Sequence, residues 1–136
     1  KLECDTATNT GMYLCVALSY GARGEIIRAV KNIIGKVQAG EIFAGEIDEK
    51  IMEQCLDTYP LPPLDLYIRT SGEYRVSNFL LWQLAYTEMF FENVLWPDFG
   101  EEHFIRVLKQ FENRERRFGL TSAQINNNLF ELSAKA

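Results

Sequence analysis

The sequence predicts an α/β fold in which helices cover a parallel sheet. Residues 12–19 and 64–68 are short, mostly apolar runs, which is the pattern of strands that are buried on both faces. Between them, over residues 24–40, apolar residues recur at helical spacing. A strand, a helix and a second strand in this order predict a right-handed crossover between parallel neighbours.

The chain begins with a polar segment of small residues, 1–11, for which we expect a loop. The predicted strand 12–19 then leads into the turn SYGAR at residues 19–23. This turn follows the carboxyl end of the strand, where open α/β sheets place their ligands. Two readings stay open here, a turn that lines a ligand site and a strand-to-helix turn without a ligand.

Two helices are expected before the central strand. The first covers residues 24–40 and ends at Gly40, a residue that favours a left-handed C-terminal turn. The second is shorter, begins after the capping residue Asp48, and has its apolar positions at Ile51, Met52, Cys55 and Leu56. Both are expected to pack rather than to react. Prolines then lead the chain into the central strand in an extended form, at positions 60, 62 and 63.

The most informative stretch is DLYIRTSGEYRVSNFLLW, residues 65–82. Its strand stops at Arg69, and a polar loop with a second arginine, Arg75, follows. We expect Ser77 to be the N-cap of a buried helix over the apolar run 79–86. Two guanidinium groups and a helix start with unpaired amides form a receptor for a doubly charged oxyanion such as phosphate or diphosphate. The residue types also allow a purely structural reading, since arginines pair with surface carboxylates and serine caps helices without a ligand.

A further strand is predicted within residues 87–96, followed by a rigid turn at WPDF. The strand opens on Glu88, whose carboxylate is either solvated at the sheet edge or held by a cation. An amphipathic helix follows, with apolar positions at Phe104, Val107, Leu108 and Phe111. Arginines near its C-terminus complement the helix dipole. Arg114 and Arg117 lie three residues apart on one helix face, and we expect both to be free to reach a ligand.

Length and composition limit the function. A chain of 136 residues is one domain by size, and its net charge of −5 argues against a general nucleic-acid binder. Three cysteines without a CxxC motif suggest neither a disulfide framework nor a zinc site, so a reducing cytoplasm fits best. No apolar run approaches the roughly 20 residues of a membrane span.

The runs RTSGEYRVSNFLLWQLAYTEMFF, VLWPDF and NRERRFG resemble the C-terminal part of cis-prenyltransferases, the undecaprenyl diphosphate synthase family. The resemblance extends over residues 13–119. It implies that residues 1–119 form the C-terminal portion of a single-domain parallel α/β fold whose other strands precede Lys1. Residues 120–136 are then a C-terminal tail.

The sequence departs from this family at several places. The aspartate-containing, DGNGRWA-like motif does not occur in it. Ser19 and Ala22 stand where the family more often has asparagine and glycine. Tyr74 replaces a frequent histidine. Arg117-Phe118-Gly119 matches the family's RxG signature, which contributes to diphosphate binding, but Leu120 replaces the second glycine that usually follows it.

The resemblance implies a transferase that adds isopentenyl diphosphate units in Z configuration to an allylic diphosphate such as farnesyl diphosphate, giving a polyprenyl diphosphate. It also implies Mg²⁺, a homodimer, and peripheral membrane contact through the lipid product. Isopentenyl diphosphate is assigned to Arg69, Arg75 and Ser77, with Arg117 assisting across the subunit interface. Glu88 resembles a glutamate near the dimer interface and magnesium, and is assigned to the metal site. The catalytic residue stays unknown, because the family's aspartate is not in this sequence.

Two other functions are compatible with the sequence. One is a non-catalytic partner subunit of a heteromeric prenyltransferase. The other is a phosphate-binding module that is unrelated to prenyl transfer.

Overall fold

The computed structural model describes residues 2–115. Within them the elements follow in the order α1 (Leu2–Thr6), α2 (Ala22–Gln38), α3 (Glu49–Gln54), β1 (Leu66–Arg69), β2 (Glu88–Phe91) and α4 (Glu101–Glu112). Short 3₁₀ turns occur at Ala44–Glu46, Gln83–Tyr86 and Trp96–Asp98. No helix of the described part is long and apolar enough to cross a membrane.

The two strands form a parallel pair, with Leu66 opposite Glu88 and Arg69 opposite Phe91. This pairing and its flanking helices confirm the predicted α/β class. Because the strands are parallel, their carboxyl ends lie at the same edge of the sheet. The segments that follow Arg69 and Phe91 are therefore neighbours.

The main core lies between α2 and α3, whose buried residues are Ala29, Ile33, Met52 and Leu56. Trp82 packs against this cluster, as expected of a core residue. Tyr86, for which the same was expected, is instead 64% exposed. The helix α4 contributes one further buried residue, Val107.

The local signals for α2 and α3 are confirmed. The Asp48 side chain accepts a hydrogen bond from the Ile51 amide at 2.8 Å and so caps α3. At the end of α2, Gly40 has a φ of +74°, and the amides of Gly40 and Glu41 donate to the carbonyls of Val37 and Lys36. This double hydrogen-bond pattern is a Schellman motif, which requires a left-handed residue after the helix.

The predicted strand over residues 12–19 is not formed, and with it the crossover to β1 is absent from the described residues. Its large apolar side chains are between 68% and 87% exposed. A strand needs a hydrogen-bonded neighbour, and in residues 2–115 the segment pairs with none. An apolar run alone cannot supply that neighbour. Residues 2–6, expected as loop, form α1, with two acidic residues in its first turn that favour the helix dipole.

The predicted helix over residues 79–86 is also wrong, as is the N-cap role of Ser77. Ser77, Asn78 and Leu80 all have positive φ values, between 49° and 61°, which are incompatible with a right-handed helix. Only Gln83–Tyr86 forms a short 3₁₀ turn. Asn78 is engaged instead in hydrogen bonds to the N-terminus of α2.

Alanine substitutions at two glycines of the α2 region test whether the left-handed turn after this helix stabilises the fold. Gly40→Ala forces an alanine into a left-handed conformation and should lower the free energy of unfolding by about 1 kcal/mol. Gly35→Ala lies in the helix interior, where an added Cβ meets no atom within 4 Å, and should raise it by about 0.5–1 kcal/mol. Urea denaturation of both variants measures the difference. Equal effects of the two substitutions would contradict the Schellman assignment.

Candidate functional site

The loop after β1, residues 70–76, rests on the segment that follows β2. The amides of Ser71 and Gly72 donate to the carbonyls of Val94 and Glu92 at 2.8 and 2.9 Å. Gly72 has a φ of +65°, a conformation that glycine adopts without strain. The first half of the loop is thus fixed at the carboxyl edge of the sheet.

The side chain of Tyr74 adds a second anchor to this loop. Its hydroxyl donates to Asn93 Oδ1 at 3.2 Å, and its ring lies 5.3 Å from that of Phe91. Tyr74 therefore has a packing role in the described structure, at the position where the resembling family often has histidine. The contact holds the middle of the loop against the sheet.

The two arginines of the loop differ in their surroundings. Arg69, the last residue of β1, is partly buried, and within residues 2–115 its guanidinium has no hydrogen-bonding or ionic partner. Arg75 is exposed and forms an ion pair with Glu73 of the same loop. Exposed pairs contribute only about 0–1 kcal/mol, so an anion can compete with Glu73 for Arg75.

Ser77 follows these arginines as an exposed residue with a φ of 49°. It caps no helix, so its hydroxyl and the loop arginines, not a helix dipole, are what the structure offers to an anion here. Arg75 therefore lies in the loop at the carboxyl edge, and Arg69 and Ser77 are the residues that flank this loop. Arg117 lies outside the described residues.

Glu88 lies at the opposite end of the sheet. It opens β2, three residues before Phe91, which corresponds to roughly 10 Å along the strand. Its Oε2 accepts a hydrogen bond from Arg114 at 2.7 Å, and its side chain is 22% exposed. The Arg114 guanidinium also lies 4.2 Å from the centre of the Phe90 ring.

These contacts settle the surroundings of Glu88 and correct the expectation for Arg114. The carboxylate is held by a cation, which is the guanidinium of Arg114. Arg114 is accordingly not free to reach a ligand. In residues 2–115, no three His, Cys, Asp or Glu side chains are grouped as metal ligands. Glu88 is thus a single carboxylate and not a complete metal site.

The N-terminus of α2 is capped from a distant part of the chain. Gly21 precedes the helix and offers no side-chain cap. Instead, the Ala22 amide donates to the carbonyl oxygen of Asn78, and the Arg23 amide donates to Asn78 Oδ1, both at 2.9 Å. The turn at residues 19–23 is therefore occupied by a protein contact. The Ala22 and Arg23 amides are therefore not available to a ligand in this structure, and both readings of the turn stay predictions.

A buried carboxylate lies directly behind this cap. Glu25, in the first turn of α2, is fully buried and accepts hydrogen bonds from the Tyr20 hydroxyl, the Asp57 amide at 3.0 Å, and Gln83 Nε2 at 3.2 and 3.3 Å. Within the described residues, Oε1 of Gln83 is buried and has no partner. The network joins α2 to the segments before β1 and after the loop.

Sequence reasoning missed Glu25 and Asn78. A signal for Glu25 was present, because it falls on the stripe of buried residues of α2, together with Ala22, Ala29 and Ile33. A glutamate at such a position predicts a buried, hydrogen-bonded carboxylate. For Asn78 the signal was weaker. Asparagine is a preferred capping residue, but nothing local shows that it caps a helix 55 positions earlier.

A family model described as "Putative undecaprenyl diphosphate synthase" matches residues 1–119. The chain is 50% identical over 121 residues to the ditrans,polycis-undecaprenyl-diphosphate synthase ((2E,6E)-farnesyl-diphosphate specific) of Escherichia coli, covering 89% of this chain and 48% of that protein. It is 53% identical to an isoprenyl transferase of Geobacter sulfurreducens, covering 89% of this chain and 49% of that protein. The chain thus spans about half the length of these curated relatives.

Two solved structures of diphosphate synthases also resemble this chain. Lavandulyl diphosphate synthase from Lavandula x intermedia, crystallised with dimethylallyl diphosphate, superposes with a TM-score of 0.82 at 41% identity, over 86% of this chain and 50% of that one. A probable undecaprenyl diphosphate synthase from Campylobacter jejuni superposes with a TM-score of 0.62 at 45% identity, over 76% of this chain and 45% of that one.

The Tyr20–Glu25 contact predicts a pH dependence of stability. Burial, and then the hydrogen bond to Glu25, raise the pKa of Tyr20 above its ordinary value of 10.0. The folded state therefore favours the neutral phenol, and its contribution to stability is present below pH 10.0 and falls as the pH rises above it. The parent protein should lose more stability than Tyr20→Phe between about pH 8 and about pH 11, and thermal unfolding at each pH measures this loss. The exposed Tyr59→Phe is the control and should keep the parent's slope.

Proposed function

The chain belongs to the undecaprenyl diphosphate synthase family of cis-prenyltransferases, and from that premise we propose that the protein adds isopentenyl diphosphate units in Z configuration to an allylic diphosphate such as farnesyl diphosphate. The product would be a polyprenyl diphosphate. The observation that carries the proposal is Arg69, which stands at the carboxyl end of β1 with no partner for its guanidinium in residues 2–115. A cation without a counter-ion, at the edge where α/β sheets bind ligands, is suited to a diphosphate.

In this proposal Arg69, Arg75 and Ser77 bind the diphosphate of isopentenyl diphosphate. Guanidinium groups fit two oxygens at once, and the serine hydroxyl donates one further hydrogen bond. The groups neutralise the substrate's charge and fix its position relative to the allylic partner. The allylic substrate and the catalytic residue are assigned to no residue of this chain. The binding of dimethylallyl diphosphate by the solved lavandulyl diphosphate synthase supports an allylic diphosphate as the partner.

Arg117 is proposed to assist from its RxG signature, and we propose a homodimer in which it reaches the site of the partner. Residues 1–119 would then be the catalytic-domain portion, with 120–136 as a tail. The match of the family model to residues 1–119 supports this division. Of the pair Arg114 and Arg117, Arg114 is used in the contact with Glu88, and Arg117 keeps its assignment to the ligand.

Mg²⁺ is proposed as the cofactor, with Glu88 as one of its ligands. Mg²⁺ is commonly bound by one or two carboxylates together with substrate phosphates, and it would neutralise charge on the leaving diphosphate. The described residues supply only this one carboxylate, and Arg114 already occupies one of its oxygens. A metal ion at Glu88 must therefore compete with Arg114.

A cytoplasmic location is proposed as well. It is supported by the three cysteines, all of which are free thiols. The polyprenyl product is apolar and would bring the protein into peripheral contact with a membrane.

Substitutions of the loop arginines test the diphosphate site. Charge-assisted hydrogen bonds contribute roughly 1.5–3 kcal/mol, so Arg69→Ala or Arg75→Ala should weaken the use of isopentenyl diphosphate about 10- to 150-fold. Arg75→Lys should rescue poorly, because it keeps the charge but loses the bidentate geometry. Steady-state kinetics and titration with isopentenyl diphosphate against inorganic phosphate give the measurement.

Lys50→Ala, on the exposed surface of α3, makes the same change in net charge and serves as the control. It should leave the kinetics unchanged. Nearly full activity of Arg75→Lys would show that bidentate recognition is the wrong mechanism. Equal affinity for inorganic phosphate and isopentenyl diphosphate would favour a general phosphate-binding module.

Complementation tests the proposed dimer. Arg69→Ala and Arg117→Ala homodimers should both be nearly inactive, since every site lacks one anion ligand. In a mixed dimer, one site combines Arg69 of one subunit with Arg117 of the other and is complete. Activity should therefore reappear when the two variants are unfolded and refolded together. If Arg117 acts within its own subunit, refolding together restores nothing.

A further inference from the structure

We infer that Asn78 is a positioning residue for the anion-binding loop, which it fastens to the N-terminus of α2. The inference rests on the proposed function, because it assigns to Asn78 a role in placing Arg75 and Ser77 for the diphosphate. Asn78 itself need not touch the substrate. Its two acceptor groups are already engaged by the Ala22 and Arg23 amides, at 2.9 Å each.

The first observation is that Asn78 supplies the acceptors that cap the N-terminus of α2. The first amides of a helix have no intrahelical acceptor, and a side chain just before the helix usually supplies one. Gly21 has no side chain to do so. The amides of Ala22 and Arg23 take their acceptors from Asn78 instead, so that the start of α2 and the end of the loop form one unit.

The second observation concerns the glycine at position 21. Its φ of −155° is open to any residue, so backbone conformation does not demand a glycine there. A Cβ added at Gly21, however, would lie 2.9 Å from Asn78 Nδ2. Close approach of the Asn78 side chain is therefore the reason that the structure gives for a glycine at this position.

The third observation is that Tyr20 contacts Phe79, the residue after Asn78. Its ring meets that of Phe79 edge to face, with the centroids 5.6 Å apart. Its hydroxyl donates a hydrogen bond to Glu25. Residues 78 and 79 thus both contact the turn 20–23, which helps to hold Asn78 in its left-handed backbone conformation.

The fixed position of Asn78 restricts the loop because only a few residues separate the two. Arg75 lies three residues before Asn78, so its Cα stays within roughly 10 Å of the fixed point. The other end of the loop is held by the amides of Ser71 and Gly72. A loop fixed at both ends has less freedom to lose on binding, which raises affinity without a new contact to the ligand.

The test compares Asn78→Ala, Gly21→Ala and the double variant, with inorganic diphosphate as the ligand in calorimetric titration. Loss of a cap corresponds to roughly a 2- to 30-fold change in an equilibrium, and we expect a loss of diphosphate affinity within that range for each single variant. The double variant should be no weaker than Asn78→Ala, because the side chain that collides with the new methyl group is gone. Gly45→Ala, where an added Cβ meets no atom within 4 Å, is the matched control.

Amide hydrogen exchange at Ala22 and Arg23 reports the cap directly and does not depend on any ligand. The Arg23 amide, which donates to the Asn78 side chain, should exchange faster in Asn78→Ala, whereas the Ala22 amide keeps its backbone acceptor and is the internal reference. Asn78→Ser, which keeps an oxygen acceptor, should restore part of the protection and part of the affinity. If Asn78→Ala fails to fold, Asn78→Ser and Gly21→Ala carry the same comparison. In kinetics, the KM for isopentenyl diphosphate should rise more than kcat falls.

The outcomes separate this inference from the function on which it rests. If Arg69→Ala weakens diphosphate binding while Asn78→Ala and Gly21→Ala leave it unchanged, the positioning role is overturned and the proposed site stands. Unchanged exchange of the Arg23 amide in Asn78→Ala overturns it as well. If Arg69→Ala also leaves diphosphate affinity unchanged, the proposed site fails, and the role of Asn78 fails with it.

Discussion

The parallel pairing of β1 with β2 is the constraint on which the rest of the described structure depends. It sends both strands to the same edge, so the loop after Arg69 can hydrogen-bond to the carbonyls of residues 92 and 94. The same pairing determines which residues lie at the N-terminal end of the two strands. Arg106 pairs with Glu92 after β2, and Arg114 pairs with Glu88 at its start. The chain from α4 onward therefore runs back along β2, and its two arginines are used to hold it there.

The buried carboxylate of Glu25 complements this arrangement from the side of the helices. A charge without solvent is costly unless hydrogen bonds replace the water, and here the donors are neutral groups of Tyr20, Asp57 and Gln83. These donors come from three separate parts of the chain, so the carboxylate is satisfied only when all three are in place. The requirement makes Glu25 a point at which α2, the segment before β1 and the segment after the loop are fixed together.

The sequence could predict those elements whose causes are local. Periodic apolar residues predicted α2 and α4, Asp48 predicted the start of α3, and Gly40 the end of α2. Two of the errors share a physical reason. A strand over residues 12–19 requires a neighbour, and the conformation after Ser77 is decided by contacts of Asn78 with a helix far away in sequence. In both cases the deciding partner is distant in the chain, and a pattern of apolar residues does not identify it.

The same distinction explains what could be predicted of the site. The polar segment after the apolar run predicted that Arg69 and Arg75 lie in one loop. The side chains that pair with each guanidinium could not be predicted. Arg75 must leave Glu73 to bind an anion, and as an exposed side chain it must also lose rotamer freedom. Arg69 is partly buried, and in the described residues it has no ionic partner to give up. In the proposed site, Arg69 would therefore retain more of its interaction energy for a diphosphate, and Arg75 would contribute the part that remains after competition with Glu73.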